Sequence, residues 1–214
     1  MTQPGDDWRA IHEMGHRNFV GGSDEYWDSI STLQFEFLKA NGLHPDHTFF
    51  DIGCGSLRAG TKLIRYLDQD RYVGIDKHIE LVIYGVAAEL GVDVFGAKHP
   101  RFVITDHFEF DKVDARPDFA IAQSLFSHLN ESDILECLNR LKAVAAPGCR
   151  FFATFFESQR ETEWRNPAQS HSHGHFCYTR AKMEAFGISA GWVPSYIGEW
   201  NHPRGQKIIE FLER

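Results

Sequence analysis

The chain has 214 residues, of which 43% are hydrophobic and 18 are phenylalanine, and a formal net charge of −8. That apolar content excludes a disordered chain, and the length suits one domain with a full core and room for a small cap. The acidic balance argues against a broad nucleic-acid surface.

The first 46 residues precede any strand signal. Trp8, Ile11 and Met14 recur at helical spacing, and Arg17 to Gly22 interrupts the pattern. Ser23 is placed to cap a second helix that starts at Asp24-Glu25, carries Trp27, Ile30, Leu33, Phe37 and Leu38 on one stripe, and stops near Asn41-Gly42. Such a helix packs on a sheet edge. With Gly21-Gly22 as a hinge it also suits a lid, so 1–46 is read as a helical cap on a domain spanning 47–214.

From His47 the pattern changes. Aromatic and β-favouring residues run through Phe49-Phe50-Asp51-Ile52 into Gly53-Cys54-Gly55, and Leu57, Leu63, Ile64 and Leu67 follow at helical spacing. This reads as a buried strand, a tight turn and a helix start. Glycine at 53 and 55 admits backbone dihedrals closed to other residues and a close ligand approach, and a helix start offers N–H groups to an anion. The ligand is either a dinucleotide pyrophosphate or the carboxylate of an amino-acid-like cofactor. Arg58 occupies the third position of the G-x-G-x-x-G fingerprint, which counts against the dinucleotide.

Arg71 to Asp76 is a second strand that ends on a carboxylate, at about the 20-residue offset where an acidic side chain meets ribose hydroxyls in doubly wound folds. The same Asp could instead cap the helix expected from Ile79 to Leu90. Arg101 to Ile104 forms a third strand, with Thr105 to Phe108 as its exit. Asp118 precedes a fourth strand that runs into Gln123, Ser124 and His128. A helix follows over Glu131–Val144, then an almost wholly apolar fifth strand from Cys149 to Phe156, suited to a position covered on both faces. Residues 157–178 turn polar and irregular. A helix from Arg180 to Phe186 leads to two strands joined at Asn201 to Gly205, an antiparallel hairpin.

Asp51-x-Gly53-x-Gly55, with Asp76 behind it, resembles the first two motifs of class I S-adenosylmethionine-dependent methyltransferases, and the resemblance covers Phe49 to the C-terminus. The family's third glycine would fall at Leu57. The resemblance implies an α/β fold: a doubly wound, mostly parallel, seven-stranded Rossmann-like sheet with a C-terminal antiparallel hairpin, here preceded by the N-terminal helical lid. It implies S-adenosylmethionine as cofactor, bound by Asp51, Gly53, Gly55, Asp76 and the adjoining Lys77. Asp106 and His107 would lie at the adenine and Gln123 in the loop after strand four.

For the chemistry, His128 stands just beyond strand four, at the carboxyl edge where ligands bind in open α/β sheets, and imidazole suits deprotonation of a hydroxyl. It could equally cap the helix that begins near Asn130. His171, His173 and His175 would share one face if extended, giving either a metal site or, with Ser172 and Gly174 favouring a loop, a wall of the acceptor pocket with His173 as a contact. No metal is assigned. Trp164, Trp192, Tyr196 and Trp200 supply either an aromatic wall or core packing. The expected activity is methylation of a small molecule, most readily at an oxygen of a sugar or other hydroxylated metabolite. N-, S- or C-methylation and a non-catalytic S-adenosylmethionine-binding partner or sensor domain are the alternatives. Cys54, Cys137, Cys149 and Cys177 lack C-x-x-C spacing, so free thiols in a reducing compartment are expected. Met1 opens a polar stretch and no apolar run reaches membrane-spanning length, so a cytoplasmic location with no membrane partner is expected, and a homo-oligomer is compatible with the sequence.

Overall fold

The structure, a computed structural model, describes residues 6–21, 24–160 and 163–214. Ser23, the expected cap, and Gly22 of the expected hinge lie outside the described residues. The chain divides into two compact units, Met1–His47 with Cys54–Thr105, and Thr48–Gly53 with Asp106–Arg214. Strand order in the sheet is β3-β2-β1-β4-β5-β8-β7, for β1 (Phe49–Ile52), β2 (Tyr72–Asp76), β3 (Arg101–Ile104), β4 (Phe119–Ala122), β5 (Arg150–Glu157), β7 (Val193–Gly198) and β8 (Lys207–Leu212). These are the seven strands expected. An eighth, β6 (Cys177–Tyr178), lies off that path and pairs in parallel with the end of β5, inside a segment the sequence presented as irregular.

In the first unit β2 and β3 run parallel, Val73 opposite Arg101 and Asp76 opposite Ile104. The N-terminal residues form α1 (Asp6–Met14), α2 (His16–Phe19) and α3 (Asp24–Ala40). The face that α1 buries differs from the expected stripe. Ile11 is buried with Phe19 and Leu81, while Trp8 and Met14 are about half exposed. Arg17, read as part of a break, lies within α2. In α3 Trp27, Ile30 and Leu38 are buried as patterned.

The helix that follows the glycine turn, α4 (Gly60–Tyr66), begins five residues beyond Gly55. The turn's amides are otherwise engaged: Cys54 N–H donates to the Ile75 carbonyl and Leu57 N–H to that of Cys54. The helix after β2 starts α-helical as α5 (Ile79–Tyr84) and continues as a π-helical segment over Gly85–Leu90, before α6 (Val92–Lys98). Gly85 explains how the helix approaches so closely: a Cβ there would meet the Ser56 backbone at 2.7 Å.

The second unit holds β1 parallel to β4, β4 parallel to β5, and the antiparallel β5–β8 and β7–β8 pairs. Asp118 aligns the first of these, since its carboxylate accepts the Thr48 N–H at 2.8 Å. Both faces of β1 and β4 are buried, as the unbroken apolar run of β4 requires, with Asp51 the one charged residue in β1. The helix α7 (Glu131–Val144) has the bounds its pattern demanded, and α8 (Arg180–Ser189) runs three residues beyond its expected end. Among the described residues no helix is long and apolar enough to cross a membrane.

Leu57 sits in the left-handed region, φ 64°, at the position where the resembled motif carries a glycine. Its side chain is fully buried, with carbon atoms 3.0 Å and 2.8 Å from where Cβ atoms on Gly60 and Gly85 would lie. The left-handed backbone costs about 1–2 kcal/mol, and burial of the leucine side chain offsets it. Leu57→Gly should therefore destabilise the protein by about 1–3 kcal/mol, cavity loss of about 2–5 kcal/mol exceeding the strain released. Urea unfolding measures it, and an unchanged or raised stability would show that strain dominates at this turn.

Candidate functional site

In the first unit the organising group is Asp76, the last residue of β2. Its Oδ2 accepts the Gly55 N–H at 2.8 Å and its Oδ1 accepts the His78 N–H at 2.9 Å. Each carboxylate oxygen has a second lone pair. Burial raises the Asp76 pKa, against the opposing pull of the two N–H bonds and of nearby His78 and Lys77. The capping alternative does not hold, because α5 has His78 at its N-cap and no side chain bonded there.

Gly55 has φ 52°, and a Cβ on it would lie 3.0 Å from Val20, so the N-terminal segment rests directly on the glycine. Several contacts fasten that segment. Asp7 stands 3.2 Å from His78 Nε2 and 3.7 Å from Lys77 Nζ. Arg17 donates two hydrogen bonds to Glu89, at 2.7 and 2.8 Å, with its guanidinium 4.9 Å over Trp27. His16 stacks on Tyr84 at 5.4 Å, and burial holds its pKa down. Lys77, expected at the cofactor, thus faces α1.

In the second unit Asp51 is buried in β1, and Gly53, φ 76°, has Leu125 packed 3.4 Å from where its Cβ would be. Asp106 and His107 pair with each other at 3.4 Å, their side chains 69% and 70% exposed. Gln123 lies at the exit of β4 and donates to the Ser124 hydroxyl at 2.6 Å.

The chain then makes a 3₁₀ turn, Phe126–His128. His128 does not cap α7; Asn130 does, accepting from the Asp133 N–H. The His128 ring is half-buried, and Nδ1 lies 2.6 Å from the Gly174 carbonyl. A carbonyl only accepts, so the proton sits on Nδ1 and Nε2 keeps its lone pair. Burial lowers the His128 pKa, the Gly174 contact raises it, and the charges of His173, His175 and His171 lower it further.

The histidine loop is held to this turn. His171 N–H donates to the His128 carbonyl, Phe176 N–H to that of Ser127, and Asn130 to the Ser170 hydroxyl and Ala168 carbonyl. It is not extended, since Gly174 N–H bonds back to the His171 carbonyl. The His175 ring therefore turns away from those of His171 and His173, which lie 6.1 Å apart. His175 stacks on Phe156 at 4.4 Å and its Nε2 lies 3.3 Å from Cys177 Sγ, while His171 Nδ1 accepts the His173 N–H. Among the described residues no three His, Cys, Asp or Glu side chains converge as a metal site. Of the four aromatics read as either a wall or core packing, Trp192 and Trp200 are core residues, Tyr196 donates to Glu157, and Trp164 is exposed beside His175.

Sequence reasoning missed Thr154, His202 and Gln206, polar side chains that are 0%, 5% and 2% exposed. Thr154 stands out within an otherwise apolar strand, whereas His202 and Gln206 sit among polar turn residues and carry no such signal.

No protein-family model matches the chain. It is similar in structure to magnesium protoporphyrin IX methyltransferase from Synechocystis PCC 6803 with bound SAM, at 16% identity over all of both chains and a TM-score of 0.66. It is also similar to DhpI in complex with SAH, at 15% identity over 96% of this chain and 95% of that one, TM-score 0.67. Human N-acetylserotonin methyltransferase in complex with SAM matches at 14% identity, TM-score 0.64, over 99% of this chain and 60% of that one. The fold is that of the class I S-adenosylmethionine-dependent methyltransferases.

The Asp76 shift has a stability consequence. Its folded pKa lies above the unfolded value of about 3.9, so the carboxylate binds a proton more readily folded than unfolded. The stabilisation from its protonation is complete below the unfolded value and is lost as pH rises through the folded one. Relative to the non-titrating Asp76→Asn variant, the wild type should gain stability as pH falls from neutral towards 4. Urea unfolding of both proteins across that range checks this, and a pH-independent difference would refute it.

Proposed function

We propose that this protein transfers the methyl group of S-adenosylmethionine to an oxygen of a small hydroxylated acceptor, a sugar or comparable metabolite, with His128 as general base. The observation that carries the reading is Asp76, a half-buried carboxylate at the end of β2 bonded to the N–H of a left-handed glycine. The residues fit the cofactor: each Asp76 oxygen has a second lone pair beyond its N–H bond, and a ligand donating two ribose hydroxyls there would offset the burial that raises its pKa. Asp51, Asp106, His107 and Gln123 are assigned to the same ligand by their positions in the resembled motifs. Asp106 and His107 would become covered on binding. Lys77 is assigned to fastening the N-terminal helices, which act as a lid.

Bound S-adenosylmethionine supplies a methyl group activated for in-line displacement by its sulfonium. The chain's own task is to orient the acceptor and take its proton. His128 suits that task because its Nδ1–H is committed to Gly174 and its Nε2 is left basic. Burial keeps the ring neutral to lower pH than an ordinary histidine. His173, on the loop tied to the same turn, is assigned to holding the acceptor.

Calorimetry with SAH and with NAD tests the cofactor. SAH should bind and NAD should not, and Asp76→Ala should weaken SAH by about 2–4 kcal/mol, the cost of charged hydrogen bonds to both hydroxyls. Wild-type affinity in the variant would remove Asp76 from the ribose. Once a screen of hydroxylated metabolites has supplied the acceptor, His128→Ala should lower turnover by about 10²–10⁴-fold with SAH affinity unchanged. His173→Ala should mainly raise the acceptor's KM. Since the base works only when neutral, kcat/KM should fall as pH drops through a midpoint below the ordinary histidine value of about 6.5. A profile with no such limb, or near-normal turnover in His128→Ala, would transfer the proton's acceptor elsewhere.

A further inference from the structure

The loop that presents His128 starts from a strained residue. Ser124 has φ 57°, a left-handed conformation that a serine does not hold unaided. Every polar group of Ser124 is occupied. Its N–H donates to Thr154 Oγ1 at 2.7 Å, its carbonyl accepts from the Ser127 hydroxyl at 2.9 Å, and its hydroxyl accepts from Gln123 and donates to Gln206 Oε1 at 3.0 Å. Thr154 Oγ1 donates to the same Gln206 oxygen at 2.7 Å. Gln206 is 2% exposed, at the entry to β8 and 82 residues from Ser124, and its carbonyl accepts from Trp200 Nε1 at 2.9 Å. One buried carboxamide oxygen thus gathers both hydroxyls that hold the turn. Downstream, His128 N–H closes the turn on the Leu125 carbonyl at 2.9 Å.

We propose that Gln206 is a positioning residue that clamps Ser124 in its left-handed conformation and thereby sets where the His128 imidazole stands. The proposal rests on the reading of His128 as the base. The conformation at Ser124 fixes the direction in which Leu125 to His128 leave β4, so loss of the acceptor oxygen lets the turn relax. The ring then loosens from the Gly174 carbonyl and becomes better solvated. Buried polar groups act rigidly only when all are satisfied, and removing the shared acceptor leaves the buried Thr154 hydroxyl and the half-buried Ser124 hydroxyl without it.

The test is the NMR titration of the His128 imidazole in the full-length protein, its signal assigned by its disappearance in His128→Gln. In Gln206→Met the midpoint should move up towards the ordinary histidine value, because burial is the largest influence on the ring and its relief outweighs the weakened Gly174 bond. Ser124→Gly added to Gln206→Met should restore the wild-type midpoint, because glycine holds a left-handed turn without a clamp. Gln206→Glu, which keeps an acceptor oxygen, should stay close to the wild type. A merely structural role would lower the melting temperature and leave the His128 midpoint in place. A wild-type midpoint in folded Gln206→Met, or no restoration by Ser124→Gly, overturns the proposal. Should Gln206→Met fail to fold, Ser124→Ala, which removes the hydroxyl that bonds Gln206, should raise the His128 midpoint likewise, and a wild-type midpoint there overturns the proposal. SAH calorimetry on the wild type runs alongside. Absent binding there with the stated His128 response would overturn the methyl-transfer reading and support the clamp.

Discussion

A carboxylate half-buried at the end of a strand is stabilised by hydrogen-bond donors, and in the first unit Asp76 finds two backbone N–H groups. One belongs to Gly55, so a side chain in β2 dictates the course of the turn that follows β1. Only glycine serves there, because the backbone is left-handed and Val20 occupies the space a Cβ would need. The other N–H belongs to His78, whose ring meets Asp7 of α1 and packs edge-on against Phe19 of α2. The glycine turn, the start of α5 and the N-terminal helices are thus arranged around one charge. Burial leaves that charge incompletely compensated, and this is the physical ground for expecting a ligand rich in hydroxyl donors.

The second unit solves a different problem. Its β4 exit has to leave the sheet sharply and present an imidazole whose proton is on a chosen nitrogen. The sharp exit comes from a left-handed serine held by Thr154 and Gln206, and the tautomer comes from a backbone carbonyl that can only accept. The loop that supplies that carbonyl is itself tied by its amides to the same turn. What reads in sequence as a flexible run of Ser, Gly and His is therefore a fixed part of the imidazole's surroundings.

Both units spend stability on non-glycine residues in left-handed backbone. Leu57 and Ser124 each carry a cost of about 1–2 kcal/mol that a glycine would avoid. The compensations differ in kind. Leu57 is offset by apolar burial between Gly60 and Gly85. Ser124 is offset by hydrogen bonds through its hydroxyl and amide, which glycine could match only in part. Neither strained site is supported by local groups alone, since Gly85 for Leu57, and Thr154 and Gln206 for Ser124, arrive from distant parts of the chain.

The sequence by itself determined the strand and helix succession, the two glycines with Asp76, the ends of α7, and the closing antiparallel pair. These depend on periodicity and on residue-specific backbone freedom, which are properties of neighbouring residues. Tertiary structure alone decided several points that local pattern does not encode. Trp8 and Met14 face outward because α1 meets its neighbours through Ile11. Trp192 and Trp200 are core residues because their indole N–H groups reach the Leu138 and Gln206 carbonyls. Lys77 turns to Asp7, and the histidine loop folds back on itself, because partners far along the chain are available there. Gln206 looks in sequence like an ordinary polar residue beside a turn. Its weight comes from burial beside two hydroxyls remote from it in the chain, and a buried hydrogen bond has no counterpart in local sequence.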